Sequence, residues 1–150
     1  MAGTTPNLPE EFSLAHGVSA LGQALQTMLA DPADTTEVTL LYGNKSEPDI
    51  LLRSELDQLA AQHPERLRLT HVVGGAPDDP PPPGWDGETG WIDAEKIERL
   101  CPPPADDALV FVCGLPSMYV SLCGPREEAA LAEGSVLPGL GYTEQMVYKF

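Results

Sequence analysis

The sequence predicts an α/β fold: a parallel sheet of about five strands, doubly wound with helices on both faces. Two observations carry that expectation. Short β-rich runs alternate with helical patterns along most of the chain, which is how parallel sheets are built. The stretch Ala108–Tyr119, ALVFVCGLPSMY, also passes from an apolar strand straight into a helix at Cys113-Gly114. Ligands of open α/β sheets bind outside the carboxyl ends of the strands, so this junction is the candidate ligand edge. Gly114 permits close backbone approach, Pro116 presets the first helical turn, and the helix start offers free N–H groups.

Residues 1–11, with two prolines, two threonines and two adjacent glutamates, read as an irregular leader. Phe12–Ala15 is a weak first strand, supported by only four residues. Val18–Ala30 is a helix, because Val18, Leu21, Leu25, Met28 and Leu29 share one face. Asp31-Pro32 ends it. Glu37–Tyr42 is a strand stopped by Gly43-Asn44. Ile50–Gln62 is the next helix, with Leu52, Leu56, Leu59 and Ala60 inward and Pro64 beyond its end. Arg66–Val73 is a strand. Gly74–Trp91, rich in proline and glycine, is a loop, and a loop of this length in a compact domain is often functional. Asp93 caps a helix over Ala94–Cys101, stopped by three prolines. Strand Ala108–Cys113, helices Pro116–Cys123 and Arg126–Glu133, a turn at Gly139–Gly141 and strand Gln145–Phe150 complete the chain. No internal repeat is visible.

The 150 residues suit one domain. The net charge of −15 and the scatter of the eight basic residues argue against nucleic acid, which needs clustered Lys and Arg. The acidity reads first as a solubility device. Three cysteines make no disulfide framework and no C-x-x-C pair, so neither a metal site nor an oxidising compartment is expected. No run is long enough to span a bilayer, and the amino terminus lacks a signal pattern. The expectation is an intracellular protein, cytoplasmic or held to a membrane through a segment outside these residues.

No residue stands out as a catalyst. Ser19 has no nucleophile elbow, and His16, His63 and His71 have no spacing that specifies a base. Each histidine reads as a surface or satisfied core residue. No P-loop and no G-x-G-x-x-G is present. Cys113 has two readings, a small core hydrophobe or a cofactor contact at the strand end.

Three stretches together resemble the nicotinamide-nucleotide-binding domain of the cytochrome b5 reductase family, within the ferredoxin–NADP reductase superfamily. They are LLYGNKSEPDILLRSELDQLA at Leu40–Ala60, GWDGETGWIDAEKIERL at Gly84–Leu100 followed by PPP, and LVFVCGLPSMY, with an aromatic end in VYKF. The resemblance covers residues 17–150, so residues 12–150 are read as one NAD(P)H-binding domain. It implies a Rossmann-like sheet of order 3-2-1-4-5. It also implies an activity: NAD(P)H, with NADH ahead of NADPH, gives hydride to FAD, and electrons pass on to a heme protein such as cytochrome b5. Cys113, Gly114, Leu115 and Pro116 match the family's Cys-Gly-Pro-Pro loop beside the nicotinamide, with Leu115 in place of a proline. Met118 matches an apolar position behind that loop, Trp91 an aromatic near the adenine side, and Phe150 a terminal aromatic near the flavin.

The departures from the family pattern are specific. The glycine-rich first loop aligns with Leu14–Ala20, where only Gly17 is kept, with conservative changes at Val18 and Ser19. Leu14 and Ala15 would hinder approach of a pyrophosphate. The family's acidic residue for NADH aligns near Gly74, which has no side chain to accept a ribose hydroxyl. The FAD-binding barrel is absent from these residues, so its partner would be a flavin-binding domain or chain. Three functions follow: a nucleotide-binding part inactive alone, or one chain of a split reductase; a degenerate, non-catalytic interaction domain; or an independent enzyme using the Cys113 thiol.

Overall fold

The computed structural model describes residues 14–74 and 80–150, with side chains described from Leu21 onward. The elements run α1 (Leu14–Ala30), β1 (Val38–Asn44), a 3-10 turn (Glu47–Asp49), α2 (Arg53–Gln62), β2 (Leu67–Val73), β3 (Glu88–Thr89), α3 (Ala94–Leu100), β4 (Val110–Val112), α4 (Pro116–Leu122), α5 (Val136–Gly139) and β5 (Val147–Lys149). Every strand pairing is parallel. One sheet has the order β1-β2-β3, and a second pairs β4 with β5. The fold is therefore mixed α/β with parallel strands.

The first expected strand is corrected. Leu14 and Ala15 lie in α1, and Phe12 and Ser13 are outside the described residues. Leucine and alanine are strong helix formers, and they extend the periodic face of α1 toward the amino terminus. The expected single sheet is accordingly two pieces among the described residues. The neighbours 3-2 and 4-5 of the expected order are both present, as β2-β1 and β4-β5, and no described strand joins them.

Three local differences have clear causes. Helix α2 starts at Arg53 instead of Ile50 because Leu52 takes a left-handed conformation, φ 55°. The loop after β2 contains β3, which pairs with Val72 and Val73. That pairing is held by Trp85, whose indole donates to the Glu88 carbonyl at 3.0 Å, and by Arg99, whose guanidinium grips the Glu88 carboxylate at 2.8 and 3.1 Å. The expected helix over Arg126–Glu133 is not formed, and turns replace it. The ammonium of Lys149 takes the carbonyls of Pro125, Glu128 and Ala130 at 2.9, 2.7 and 3.1 Å, and the Ala132 N–H bonds the Cys123 carbonyl. A charged donor twenty residues away thus claims carbonyls that a helix would need.

Among the described residues two apolar clusters form the interior. Leu25 and Leu29 of α1 and Leu56 of α2 pack on Leu67 of β2. The second cluster gathers Ile97, Val112, Tyr119, Leu122, Cys123 and Leu137 with Tyr142 and Val147. Leu41 of β1 packs against this second cluster, so the two sheet pieces share a core although no ladder joins them. Burying these side chains is the main stabilising contribution.

Two outcomes test this account. Lys149→Met should lower stability by about 1–2 kcal/mol in urea unfolding, since three carbonyls lose a charged donor that is partly in water. The hydrogen bond from Arg99 holds the Glu88 carboxyl below its usual range. Its contribution is therefore complete above the ordinary carboxylate pKa and fades as pH falls through the depressed folded value. The protection of the Gly90 N–H, which bonds the Val73 carbonyl, relative to its intrinsic exchange rate should fall over that acid window, and Glu88→Gln should remove that pH-dependent loss.

Candidate functional site

All the paired strands are parallel, so within each sheet piece the carboxyl ends lie at one edge. At that edge β4 stops after Val112 and gives way to Cys113-Gly114. Leu115 caps α4 in extended conformation and Pro116 fills its first position, as expected of proline at a helix start. Gly114 leaves room here for Met118: a Cβ on it would meet the Met118 Sδ and lie 3.5 Å from its Cγ, so the thioether would have to move. Met118 is half-buried against the β4–β5 core, so it backs the loop from inside. Cys113 and Leu115 are exposed.

The carboxyl end of the chain closes on the same place. The Phe150 N–H donates to the Val112 carbonyl at 3.0 Å, and the Tyr119 hydroxyl donates to the Phe150 carbonyl. The Phe150 ring leans on Phe111 with centroids 5.8 Å apart, and Phe111 stacks on Tyr148 at 5.5 Å. Burial pushes the Tyr119 phenol up, with the neighbouring Cys113 thiol adding to it, so the hydroxyl stays a donor. Tyr119 is a positioning residue that the sequence reading missed. Its signal was there in its spacing from Pro116, on the inward face of α4, but its partner lies at the far end of the chain.

Cys113, Gly114, Leu115, Pro116, Met118 and Phe150 are therefore brought together. Trp91 stands just past β3, at the carboxyl edge of the first sheet piece, and is exposed. Gly17 and Ser19 lie within helix α1. The segment Leu14–Ala20, expected to align with a loop, is helical. Asn44 was also missed. It ends β1 at the ligand edge, and among the described residues its buried side-chain Nδ2 has no hydrogen-bond partner. Its carbonyl accepts from Gly74, which has a left-handed φ of 100°.

The three thiols differ sharply. Burial pushes both Cys101 and Cys123 up, and Cys123 is fully enclosed. Among the described residues no hydrogen bond links Cys113 to a basic side chain, and His71 instead meets Asp57 at 2.8 Å. No group of metal-ligating side chains is found among the described residues, and none of their helices is long and apolar enough to cross a membrane.

Residues 16–124 match the family model described as the oxidoreductase NAD-binding domain. The chain belongs to that family. It is 38% identical over 137 residues to an NADH-cytochrome b5 reductase 2 of Debaryomyces hansenii, covering 89% of this chain and 44% of the relative. It is 40% identical over 138 residues to the protein of the same name in Meyerozyma guilliermondii, covering 89% and 45%. Among solved structures it is similar to the cytochrome b5 reductase domain of Ulva prolifera nitrate reductase, with a TM-score of 0.71 and 30% identity over 91% of this chain and 47% of that one. The chain thus spans less than half the length of these relatives. The family resemblance expected from the sequence is confirmed.

Two measurements probe the site. In the native protein at neutral pH a disulfide reagent should titrate one thiol quickly, Cys113, and two slowly; Cys113→Ser should remove the fast phase. Gly114→Ala should cost about 1 kcal/mol or more in stability. Much of that should be relieved in a Met118→Ala background, giving a non-additive double-mutant cycle.

Proposed function

We propose that this chain is the nicotinamide-nucleotide-binding part of a flavoprotein oxidoreductase of the cytochrome b5 reductase type. The observation that carries it is the convergence of Cys113–Pro116 and Phe150 at the carboxyl ends of β4 and β5. A flat heteroaromatic ring can lie against a glycine turn flanked by Leu115 and an aromatic terminus, which is the chemistry of that surface. NAD(P)H, when bound, supplies a hydride. Gly114 keeps the approach open, Met118 fixes the loop from behind, and Tyr119 holds the Phe150 backbone in place. On this reading NADH is favoured over NADPH, FAD is held by a separate flavin-binding domain or chain, and electrons continue to a heme protein such as cytochrome b5. Residues 12–150 form the nucleotide domain, working inside the cell, free or membrane-attached through another segment.

The fit is uneven. The nicotinamide side has its turn, its exposed contacts and its aromatic. On the pyrophosphate side, Leu14–Ala20 opens helix α1: its first-turn N–H groups have no intrahelical partner, the later ones are bound to carbonyls of the helix, and Leu14 and Ala15 stand where the family pattern has glycines. That favours weak binding and an inactive isolated chain. It also supports a second reading, a non-catalytic domain that works through protein contact.

Calorimetric titration separates them. The first reading expects NADH to bind with a Kd on the order of 1 mM or tighter, with binding weakened by Gly114→Val, and no dye reduction without a flavin-bearing chain. No heat at millimolar NADH or NADPH would favour the second. Recovery of electron transfer on mixing with a separate flavin-binding chain would rule the second out.

A further inference from the structure

The Gly114 turn rests on a single side chain, the thioether of Met118. A Cβ at Gly114 would meet Met118 Sδ first, then its Cγ at 3.5 Å and its Cβ at 3.6 Å, so the three heavy atoms nearest that position all belong to Met118. No other side chain stands between the sulfur and the Gly114 backbone. On its inner side Met118 packs against the cluster that holds Val112, Tyr119 and Val147. Helix α4 fixes it there. The Met118 N–H donates to the Leu115 carbonyl at 2.9 Å, and the next residue, Tyr119, is tied to the Phe150 carbonyl. The sulfur is thus confined between an apolar core and a turn that carries the exposed Cys113 and Leu115. Met118 is nonetheless partly open to solvent.

We propose that Met118 is a site of reversible oxidation by peroxide, and that its sulfoxide displaces the Gly114 turn and weakens nucleotide binding beside it. One hydrogen peroxide molecule supplies the change. A sulfur lone pair attacks one peroxide oxygen, the O–O bond breaks and an S–O bond forms. The proton of the transferred oxygen passes to the departing hydroxide, which leaves as water, and sulfur is oxidised by two electrons. A sulfoxide reductase returns the thioether by taking two electrons from a dithiol, which becomes a disulfide while the oxygen leaves as water.

The sulfoxide is polar and chiral where the thioether was apolar and pliable. Its oxygen has two directions open to it. Turned inward, it enters the cluster around Val112 and Val147 as an acceptor without a partner, which is costly. Turned outward, it takes the space that Gly114 leaves by having no Cβ, and a contact already this close yields only if the turn moves. The outward route is the less costly, so the displacement falls on the residues that flank the candidate nicotinamide surface. The inference rests on the reading above for its effect on nucleotide binding. The movement of the turn is independent of that reading.

The test uses the full chain carrying Cys113→Ser, so that the exposed thiol takes no oxidant. Hydrogen peroxide is added, and peptide mass analysis follows the gain of oxygen at each methionine. As Met118 converts, amide exchange at Gly114 and Leu115 should quicken by about tenfold or more, while amides along β1 and β2 keep their rates. NADH titrated by calorimetry should bind about tenfold more weakly than to the same variant before treatment. A mixture of the two methionine sulfoxide reductases, one for each sulfur epimer, should restore both values. Adding Met118→Leu, a swap of similar volume, should make that variant's own NADH affinity insensitive to peroxide. Four results would overturn the proposal. Met118 could stay unoxidised after Met28 and Met146 have converted. Exchange and affinity could hold steady with Met118 fully converted. The Met118→Leu variant could lose as much affinity, which assigns the effect to another methionine. Exchange could quicken along β1 and β2 as well, which makes the oxidation a general unfolding. If the untreated protein takes up no NADH, the nucleotide reading fails instead, and exchange at Gly114 still decides whether the turn moves.

Discussion

The pairing of β4 with β5 holds the candidate site together. It is a short ladder, three residues on each side, yet it joins the strand that ends at Cys113 to the last residues of the chain. Its two ends are tied by Val110 to Met146 and by Phe150 to Val112, and the Tyr119 hydroxyl fastens the terminus again from α4. Lys149, on the same strand, reaches the other way and shapes the turns after Cys123. Remove this ladder and the Gly114 turn loses its aromatic neighbour, the 125–130 segment loses its charged anchor, and Val112 and Val147 lose their shared burial.

A site with one strong half and one altered half follows from how each half is made. The turn proposed to meet the nicotinamide depends on short-range constraints: a glycine whose Cβ would displace the Met118 thioether, a proline at a helix start and a methionine behind them. These survive in a short stretch of sequence. A loop that cradles a pyrophosphate needs several residues free of side chains and free of helical hydrogen bonding at once. With Leu14 and Ala15 in those places, the same segment gains more from extending α1. Beyond its first turn the helix takes the backbone N–H groups that such a cradle would use, and only the first-turn groups stay free.

Among the described residues no strand bridges the two sheet pieces. They are joined instead through side chains, since Leu41 of β1 packs against the cluster that holds Val112 and Val147. The apolar composition of Val38–Tyr42 and Val110–Val112 suits strands covered on both faces.

Much of the fold was legible in the sequence wherever the deciding interactions are local. The apolar periodicity of α1 and α2, the stop at Asp31-Pro32, the Asp93 cap accepting the Lys96 N–H at 2.9 Å and the Gly114–Pro116 turn all act within a few residues. The family resemblance was legible for the same reason, since its motifs are contiguous. What tertiary structure alone decided involves partners distant in the chain. Arg99 and Trp85 make a strand of Glu88–Thr89 within a proline-rich stretch, and Lys149 unmakes a helix at Arg126–Glu133. Phe150 becomes part of the site only because parallel pairing carries it to Val112. The sequence by itself determined the alternating elements and the glycine turn, because backbone sterics and periodicity are short-range. Tertiary structure decided which strands touch, because that depends on hydrogen bonds between residues that sequence spacing does not bring together.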